Sequence, residues 1–186
     1  MKKAVFVTRG NIEILNQKKA ALFASKDAPQ EVYPDIEALF SRLQRMDIAV
    51  AGGWQAPFEK KLYKNIKMND RANFIFYLAK DINRLRLNRN EERLLEKGKL
   101  LFISPDIKAK RISKSLVTER DELLFAQNNK IVFLYISKGG RLEEYYKQLN
   151  PQVFQIYILD HPLNQRLITK NVSALNIDNA DILLNL

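Results

Sequence analysis

Short apolar runs recur along the chain at nearly constant spacing, separated by polar or amphipathic stretches. They cover residues 21–24, 48–51, 74–78, 100–103, 131–136 and 153–159. Runs of this length indicate strands covered on both faces, as in a parallel sheet. The stretches between them carry helical patterns, so the chain alternates strand and helix. This alternation predicts βαβ crossovers and a three-layer αβα Rossmann-like fold with a mostly parallel sheet.

The helical stretches carry their own start and stop signals. Ile36, Leu39, Phe40, Leu43 and Met46 form an apolar stripe after Pro34, which is tolerated in a first turn. A second helix is predicted to start at Asn90, followed by Glu91 and Glu92, and to end at Lys97-Gly98. Together the two patterns supply helices for the layers beside the sheet.

Residues 118–149 predict a helix, a strand, a glycine turn and a second helix. Thr118, with Asp121 three residues on, has the spacing of an N-cap. Gly139 and Gly140 follow the strand, and we expect them to turn the chain sharply and leave backbone N–H groups free. The next helix has one apolar face, made of Leu142, Tyr145, Tyr146 and Leu149. A glycine turn between a strand and a helix N-terminus predicts an anion site.

In open α/β sheets, ligands bind beyond the carboxyl ends of the strands. The loops that the pattern places there are Ser25-Lys26, Gly52-Gly53-Trp54, Ser104-Pro105 and residues 137–141. None of these loops contains the dinucleotide fingerprint G-x-G-x-x-G or the P-loop pattern G-x-x-x-x-G-K. Classical NAD binding and ATP hydrolysis are therefore disfavoured.

The amino-acid composition indicates which kinds of ligand the protein can bind. The net charge is +10, and residues 1–120 carry +11 of it against −1 for residues 121–186. A basic half predicts a polyanionic partner, although basic side chains also serve simply to solvate a surface. With no cysteine and one histidine, a zinc site of the usual ligands is not expected, and we predict no metal and no cofactor.

The chain length and the apolar runs bear on domains and location. A length of 186 residues predicts a single domain spanning residues 1–186. No apolar run is long enough to cross a membrane, and the apolar part of the N-terminus is too short for a signal peptide. We therefore expect a cytoplasmic protein with no membrane partner.

Motifs in several of these stretches resemble those of the DNA-processing protein A (DprA, also called Smf) family. RGNIEILNQKKAALFAS resembles the family's entry segment and "GSR" loop, and AVAGG its "VSGLA" turn. KDINRLRLNRNEERLLEKGKLLFIS is similar to the "GLDxxYPxxN" stretch and the strand after it. Residues 118–146 resemble the "RNRIIAGLSD", "VLVVEA" and "SGSL" segments, and LNQRLITKNVSALNIDNADILLNL resembles the family's last segment. The order of the pieces is kept over nearly the whole chain, from about Arg9 onward.

This resemblance implies a Rossmann-like single-stranded DNA-binding protein of the recombination-mediator type, without bond-breaking chemistry. It further implies a homodimer that engages a RecA-type recombinase, here without the family's usual C-terminal winged helix. Carried over by position, the phosphate-binding residues are Ser25, Lys26, Gly52, Gly53, Arg120, Gly139, Gly140 and Arg141.

Further side chains are candidates for the same surface, each with a structural alternative. Trp54 is placed either to stack on a base or to fill the core. Two basic clusters either follow a DNA backbone or form solvated helix faces. The first contains Lys60, Lys61, Lys64, Lys67 and Arg71, and the second contains Arg84, Arg86, Arg89 and Arg93.

A rival interpretation comes from the same superfamily. SKGGRLEE resembles the "PGGxGTxxE" loop of the LOG phosphoribohydrolases, and TERDELL resembles their "ERK" helix. That resemblance implies that Arg120 holds a phosphate while Glu144 stabilises charge at the ribose during glycosidic cleavage. A third interpretation is a non-catalytic sensor domain that binds a nucleotide derivative.

Overall fold

The apolar runs form the strands of one twisted sheet in the computed structural model, which describes residues 5–106, 108 and 112–185. The strands are β1 (Phe6–Gly10), β2 (Lys19–Ala24), β3 (Ala49–Gly52), β4 (Asn73–Tyr77), β5 (Leu100–Pro105), β6 (Lys130–Tyr135), β7 (Gln155–Leu159) and β8 (Val172–Leu175). Within the described residues their order is β1-β5-β4-β3-β2-β6-β7-β8. Only β1 runs antiparallel to its neighbour. The predicted mostly parallel sheet is confirmed.

Helices cover both faces of this sheet. They are α1 (Tyr33–Gln44), α2 (Pro57–Lys64), α3 (Arg89–Glu96), α4 (Lys114–Gln127) and α5 (Arg141–Gln148). Successive strand residues point to opposite faces, so Leu22 belongs to the core that contains residues of α1, α2 and α3, and Phe23 to the core that contains residues of α4 and α5. The two resulting cores confirm the three-layer αβα architecture. None of the described helices is long and apolar enough to span a bilayer.

The order in which successive strands are added to the sheet reverses at its middle. From β2 the chain builds outward through β3, β4 and β5, and it then returns to place β6 on the other side of β2. The carboxyl ends of β2 and β6 therefore lie side by side while their following loops diverge. This is the topological switch point at which open α/β sheets bind ligands.

Two local predictions about where helices begin are corrected by the structure. Thr118 is not an N-cap: α4 begins at Lys114, and Ser113 accepts a hydrogen bond from the Leu116 N–H. Asn88, not Asn90, caps α3, because its side chain accepts the N–H groups of Asn90 and Glu91. A cap motif is short and recurs inside helices, so spacing alone does not fix where a helix begins.

The sequence pattern missed the strands at the two edges of the sheet. Strand β1 is mostly exposed and includes Arg9, and β8 has only four residues. An edge strand lacks the continuous apolar run of a central one because only part of it is buried. Residues 1–4, the start of the N-terminal stretch used above to argue against a signal peptide, lie outside the described residues.

Candidate nucleic-acid interface

A cleft of about 1260 Å³ lies at the carboxyl edge of the sheet, over the switch point. It is lined by the loops after β2, β3, β4 and β6, by the first two turns of α4 and by the first turn of α5. Six of the residues proposed from the sequence line it together: Ser25, Lys26, Gly53, Arg120, Gly140 and Arg141. Segments more than 100 residues apart in the chain thus converge on one site.

The loops after β2 and β6 are tied to each other at the base of this cleft. The Ser25 N–H donates to the Tyr135 carbonyl at 2.9 Å, and Ser25 Oγ accepts the Ser137 N–H at 2.9 Å. The Ser137 hydroxyl in turn donates to the Asp27 carboxylate. Ser25 is buried and engaged in this way, so it holds the switch point together, while its neighbour Lys26 is exposed.

Arg120 sits in the floor of the cleft as one member of a charged chain. Its side chain is 5 % exposed, and its Nε lies 2.6 Å from Oδ1 of Asp121, whose side chain is 2 % exposed. Asp121 Oδ2 lies 3.4 Å from Nη2 of Arg141, which is half exposed. Burial raises the pKa of the Asp121 carboxyl, and the charges of Arg120 and Arg141 oppose that rise. Arg120 is therefore mainly committed to Asp121, and Arg141 carries the charge that reaches solvent.

Gly53 is glycine because Arg120 packs directly over its backbone. A Cβ at this position would lie 1.8 Å from Nη1 of Arg120. Any larger residue would therefore displace the guanidinium. The loop after β3 and helix α4 therefore pack closely against each other at the floor of the cleft, through Gly53 and Arg120.

Glu59 is a buried carboxylate of the cleft that the sequence analysis did not single out. Its Oε1 accepts the Ala24 N–H at 2.9 Å, and its Oε2 accepts those of Gln55 at 2.8 Å and Ala56 at 3.2 Å. Burial raises the pKa of Glu59, while these three amide donors and the Arg120 charge oppose that rise. It joins the end of β2 to the start of α2. The sequence signal that could have indicated this role is a glutamate at the third residue of a helix that begins at Pro57.

The Gly139-Gly140 turn is held by Glu143 in the first turn of α5. Gly139 has the left-handed φ of +72°, which favours glycine. Its N–H donates to Glu143 Oε2 at 2.9 Å, and the Gly140 N–H donates to the Ser137 carbonyl at 3.2 Å. The expectation that both amides would be free is therefore wrong, because neighbouring acceptors of the same turn use them.

The Arg166 side chain also supports this turn. Arg166 donates through Nη1 to Glu143 Oε1 at 2.5 Å and through Nη2 to the Ile136 carbonyl at 2.9 Å. The Gly139 N–H, Arg166 and Lys147 together hold the pKa of Glu143 at about 2. Glu143 was also missed by the sequence analysis, since its partner Arg166 lies 23 residues away.

Several proposed residues lie away from the cleft lining. Gly52 and Gly139 belong to the flanking strand end and turn rather than to the cleft wall. Lys60, Lys61 and Lys64 are exposed on α2, and Glu144 is exposed on α5, outside the lining that contains Arg120. The phosphoribohydrolase interpretation assigns Glu144 to the ribose, and Glu144 is not among the residues that line the cleft with Arg120.

Trp54 belongs to the core. It is 2 % exposed, its indole N–H donates to the Ile75 carbonyl at 3.0 Å, and its ring packs against Phe40 and Tyr63. The packing alternative raised for this residue is therefore the one that the structure supports, and base stacking by Trp54 is contradicted by its burial.

Four of the five exposed charged side chains that line the cleft are positive, and the fifth is Asp27. Lys26, Arg86, Lys114 and Arg141 are exposed and Lys80 is half-buried. The lining carboxylates have partners within the protein: Asp27 accepts from Ser137, Glu59 from backbone amides, Glu91 from Tyr63, and Asp121 pairs with arginines. The cleft thus presents cations to a ligand while its acids stabilise its walls.

Fold and site together define a Rossmann-like αβα protein with a basic ligand cleft at the switch point of its sheet. No protein-family model matches the chain, and no curated protein matches it by sequence. Solved structures do match it. The chain resembles DNA processing protein A from Streptococcus pneumoniae with a TM-score of 0.72 at 10 % identity, covering 95 % of this chain and 65 % of that one.

A second similar structure is DNA processing protein A from Helicobacter pylori, a protein that binds single-stranded DNA. Here the TM-score is 0.75 at 14 % identity, and the match covers 96 % of this chain and 86 % of that one. The resemblance to DNA-processing protein A is thus confirmed at the level of the fold. The resemblance to the LOG proteins stays a prediction.

Proposed function

We propose that this protein binds single-stranded DNA in the cleft at the switch point, as a non-catalytic DNA-processing protein. The observation that carries the proposal is the ring of exposed cations, Lys26, Arg86, Lys114 and Arg141, around a cleft whose acids are internally partnered. The fold shared with the H. pylori protein, which binds single-stranded DNA, supports it.

The size and walls of the cleft favour a single-stranded polynucleotide as the ligand. At about 1260 Å³ the cleft exceeds the roughly 300–1,000 Å³ typical of small-molecule sites. Its apolar wall includes Phe76, Leu78, Leu85 and Val117. Unpaired bases expose faces that such a wall can bury, whereas the bases of a duplex are already stacked and paired. Phosphates would meet the cations at the rim.

A titration with labelled oligonucleotides at several salt concentrations tests this mechanism. Affinity for a single strand falls with a log–log slope of about −0.7 per neutralised phosphate, so four contacts give about −3. Between about 50 and 200 mM salt we expect roughly 50-fold weaker binding, and weaker binding of duplex throughout. Affinity that is independent of salt would contradict the proposal.

Matched variants locate the site in the same experiment. Lys26→Ala with Lys114→Ala removes two exposed cations of the cleft, and we expect at least about tenfold weaker binding at low salt. Lys18→Ala with Lys170→Ala makes the same charge change just before β2 and β8, at the amino edge of the sheet. This control should bind within about twofold of the unaltered protein. Equal losses in both variants would indicate nonspecific attraction.

The resemblance to DNA-processing protein A also suggests a more specific role for this DNA-binding protein. We propose a recombination-mediator protein that acts as a homodimer and engages a RecA-type recombinase. Sedimentation of the purified protein tests the dimer, and a recombinase-loading assay on coated single strands tests the partner. Incubation with nucleoside monophosphates should release no free base, because Glu144 lies outside the cleft that Arg120 lines.

A further inference from the structure

A basic surface lies beside the cleft on the outer faces of two helices, and we call it the α2–α3 track. It consists of exposed Lys60 and Lys64 of α2, Lys67 just after it, and exposed Arg89 and Arg93 of α3. These residues belong to two clusters that the sequence keeps apart. The fold makes them neighbours.

Two side-chain contacts hold the helices of the track side by side. The Tyr63 hydroxyl of α2 donates to Glu91 Oε1 of α3 at 3.0 Å. Asn90 Nδ2 of α3 donates to the Ile66 carbonyl at 3.0 Å. Tyr63 also packs its ring on Phe76 of the sheet beneath, with ring centroids 4.9 Å apart. The spacing of the two helices is therefore fixed from below.

The track begins where the cleft ends. Gln55, Ala56 and Glu59 at the start of α2 line the cleft, and so do Asn88 and Glu91 at the start of α3. Both helix starts therefore contribute to the cleft wall, and the first turn of α3 packs against the end of α2 through the Tyr63–Glu91 and Asn90–Ile66 contacts. Each helix has eight residues and runs for about 12 Å toward the amino edge of the sheet. At about 3.4 Å per phosphate along one strand, that length spans about three to four phosphates.

The cations of the track have no acidic partner, unlike several other surface cations. Arg42 pairs with Asp181, Arg71 with Asp47, and Lys147 with Glu143. None of the five track residues forms an ion pair with any carboxylate of the described part of the chain. Their neighbour Lys61 is instead held over the Tyr33 ring, 3.5 Å from its centroid. The exposed acids of α3, Glu92 and Glu96, leave the track with net positive charge.

We propose that the α2–α3 track is the second half of the binding site, which carries the single strand after it leaves the cleft. The proposal rests on the proposed function. A strand that fits within the cleft touches only the first half, and a longer strand also neutralises its phosphates on the track. Affinity and its salt dependence should therefore rise with strand length until the track is filled.

The test compares oligothymidines of about 6 and about 20 nucleotides. Lys60→Ala with Lys64→Ala and Arg93→Ala should weaken binding of the long strand by about tenfold and leave the short one unchanged. The salt slope for the long strand should also become shallower by about 1.5 to 2. All three residues are exposed, so thermal melting should show that the variant remains folded.

Two further variants make each outcome decisive. Lys18→Ala with Arg45→Ala and Lys170→Ala removes three exposed cations at the amino edge and should bind both lengths normally. Lys26→Ala with Lys114→Ala should weaken binding of both lengths.

If the track variant binds the long strand normally, the track proposal fails while the cleft proposal stands. If it loses both lengths equally, the track is no extension and the proposal also fails. If it loses binding to anionic vesicles but not to DNA, the surface is a membrane contact instead.

Discussion

Arg120 shows how a residue chosen for its charge acquires a different role in the folded protein. Its guanidinium lies under the cleft, beside Asp121 and over the backbone of Gly53, rather than facing solvent. A buried charge is tolerated only with a close opposite charge. Its contribution to binding is then indirect, because the Asp121 that it neutralises also holds the half-exposed Arg141.

Arg120→Met should therefore reduce the free energy of unfolding by more than the loss of one phosphate contact reduces the free energy of DNA binding. The change leaves the buried Asp121 with only the 3.4 Å contact to Arg141, and we expect a loss of about 3–5 kcal/mol in the free energy of unfolding. Urea denaturation followed by circular dichroism measures it. Adding Asp121→Asn should recover part of the loss, because it removes the unpaired charge. A destabilisation below about 1 kcal/mol would contradict the buried-pair assignment.

At the scale of elements, the turn before α5 depends on a carboxylate that lies within the helix itself. Glu143 accepts from the Gly139 N–H, Arg166 and Lys147, so it fixes the turn that places Gly140 and Arg141 at the cleft. The same device recurs at α2, where Glu59 accepts the amides that precede the helix. A glutamate in the first turn thus shapes two of the loops that line the site.

The stability of this turn should depend on acidity with a defined sign. The pKa of Glu143 is held at about 2, below its usual 4.5. Its contribution is therefore complete above about pH 4.5 and is lost as the pH falls toward 2. Melting temperatures measured from pH 2 to pH 6 should show Glu143→Gln clearly less stable than the unaltered protein at pH 6. The difference should shrink at the acidic end.

The neighbouring Glu144→Gln is the matched control for that series. Glu144 is exposed and its substitution makes the same change in formal charge. Its melting temperatures should stay close to those of the unaltered protein. A Glu143→Gln deficit that persists unchanged at pH 2 would show that the stabilisation does not come from the charge of the carboxylate.

At the scale of the whole molecule, the single tryptophan joins the sheet to two helices on one of its faces. Trp54 follows β3, packs against Phe40 of α1 and Tyr63 of α2, and donates to the Ile75 carbonyl of β4. Its burial therefore depends on the complete α1–α2–sheet layer. Loss of that layer on unfolding would expose the indole to water.

Trp54 fluorescence should report folding and stay insensitive to DNA. In the folded protein we expect blue-shifted emission and weak quenching by acrylamide, because the ring is 2 % exposed. Saturation with an oligonucleotide should leave both unchanged, and urea should shift the emission to the red in one step with the circular dichroism. Strong quenching by DNA would mean that the ring leaves the core and stacks on a base.

Much of the fold and part of the site were predictable from the sequence. Central strands are buried on both faces, so their apolar runs marked them, and the loops after them supplied Lys26, Gly53 and Gly140. Glu59 and Glu143 were not found, because their roles depend on amides and cations that the chain brings near only on folding. The ends of α3 and α4 were misplaced, since several polar residues near a helix start satisfy the same capping pattern.

The sequence by itself determined the alternation of strand and helix, the burial of the sheet on both faces, and the excess of positive charge. These follow from local composition and periodicity, which act without regard to what lies opposite. Only the tertiary structure decided the strand order, the switch point between β2 and β6, and which cations reach solvent. Arg120 and Lys26 look alike in the sequence, yet one is buried against Asp121 and the other is exposed. The difference arises because charge pairing depends on distance in space, which the fold alone sets.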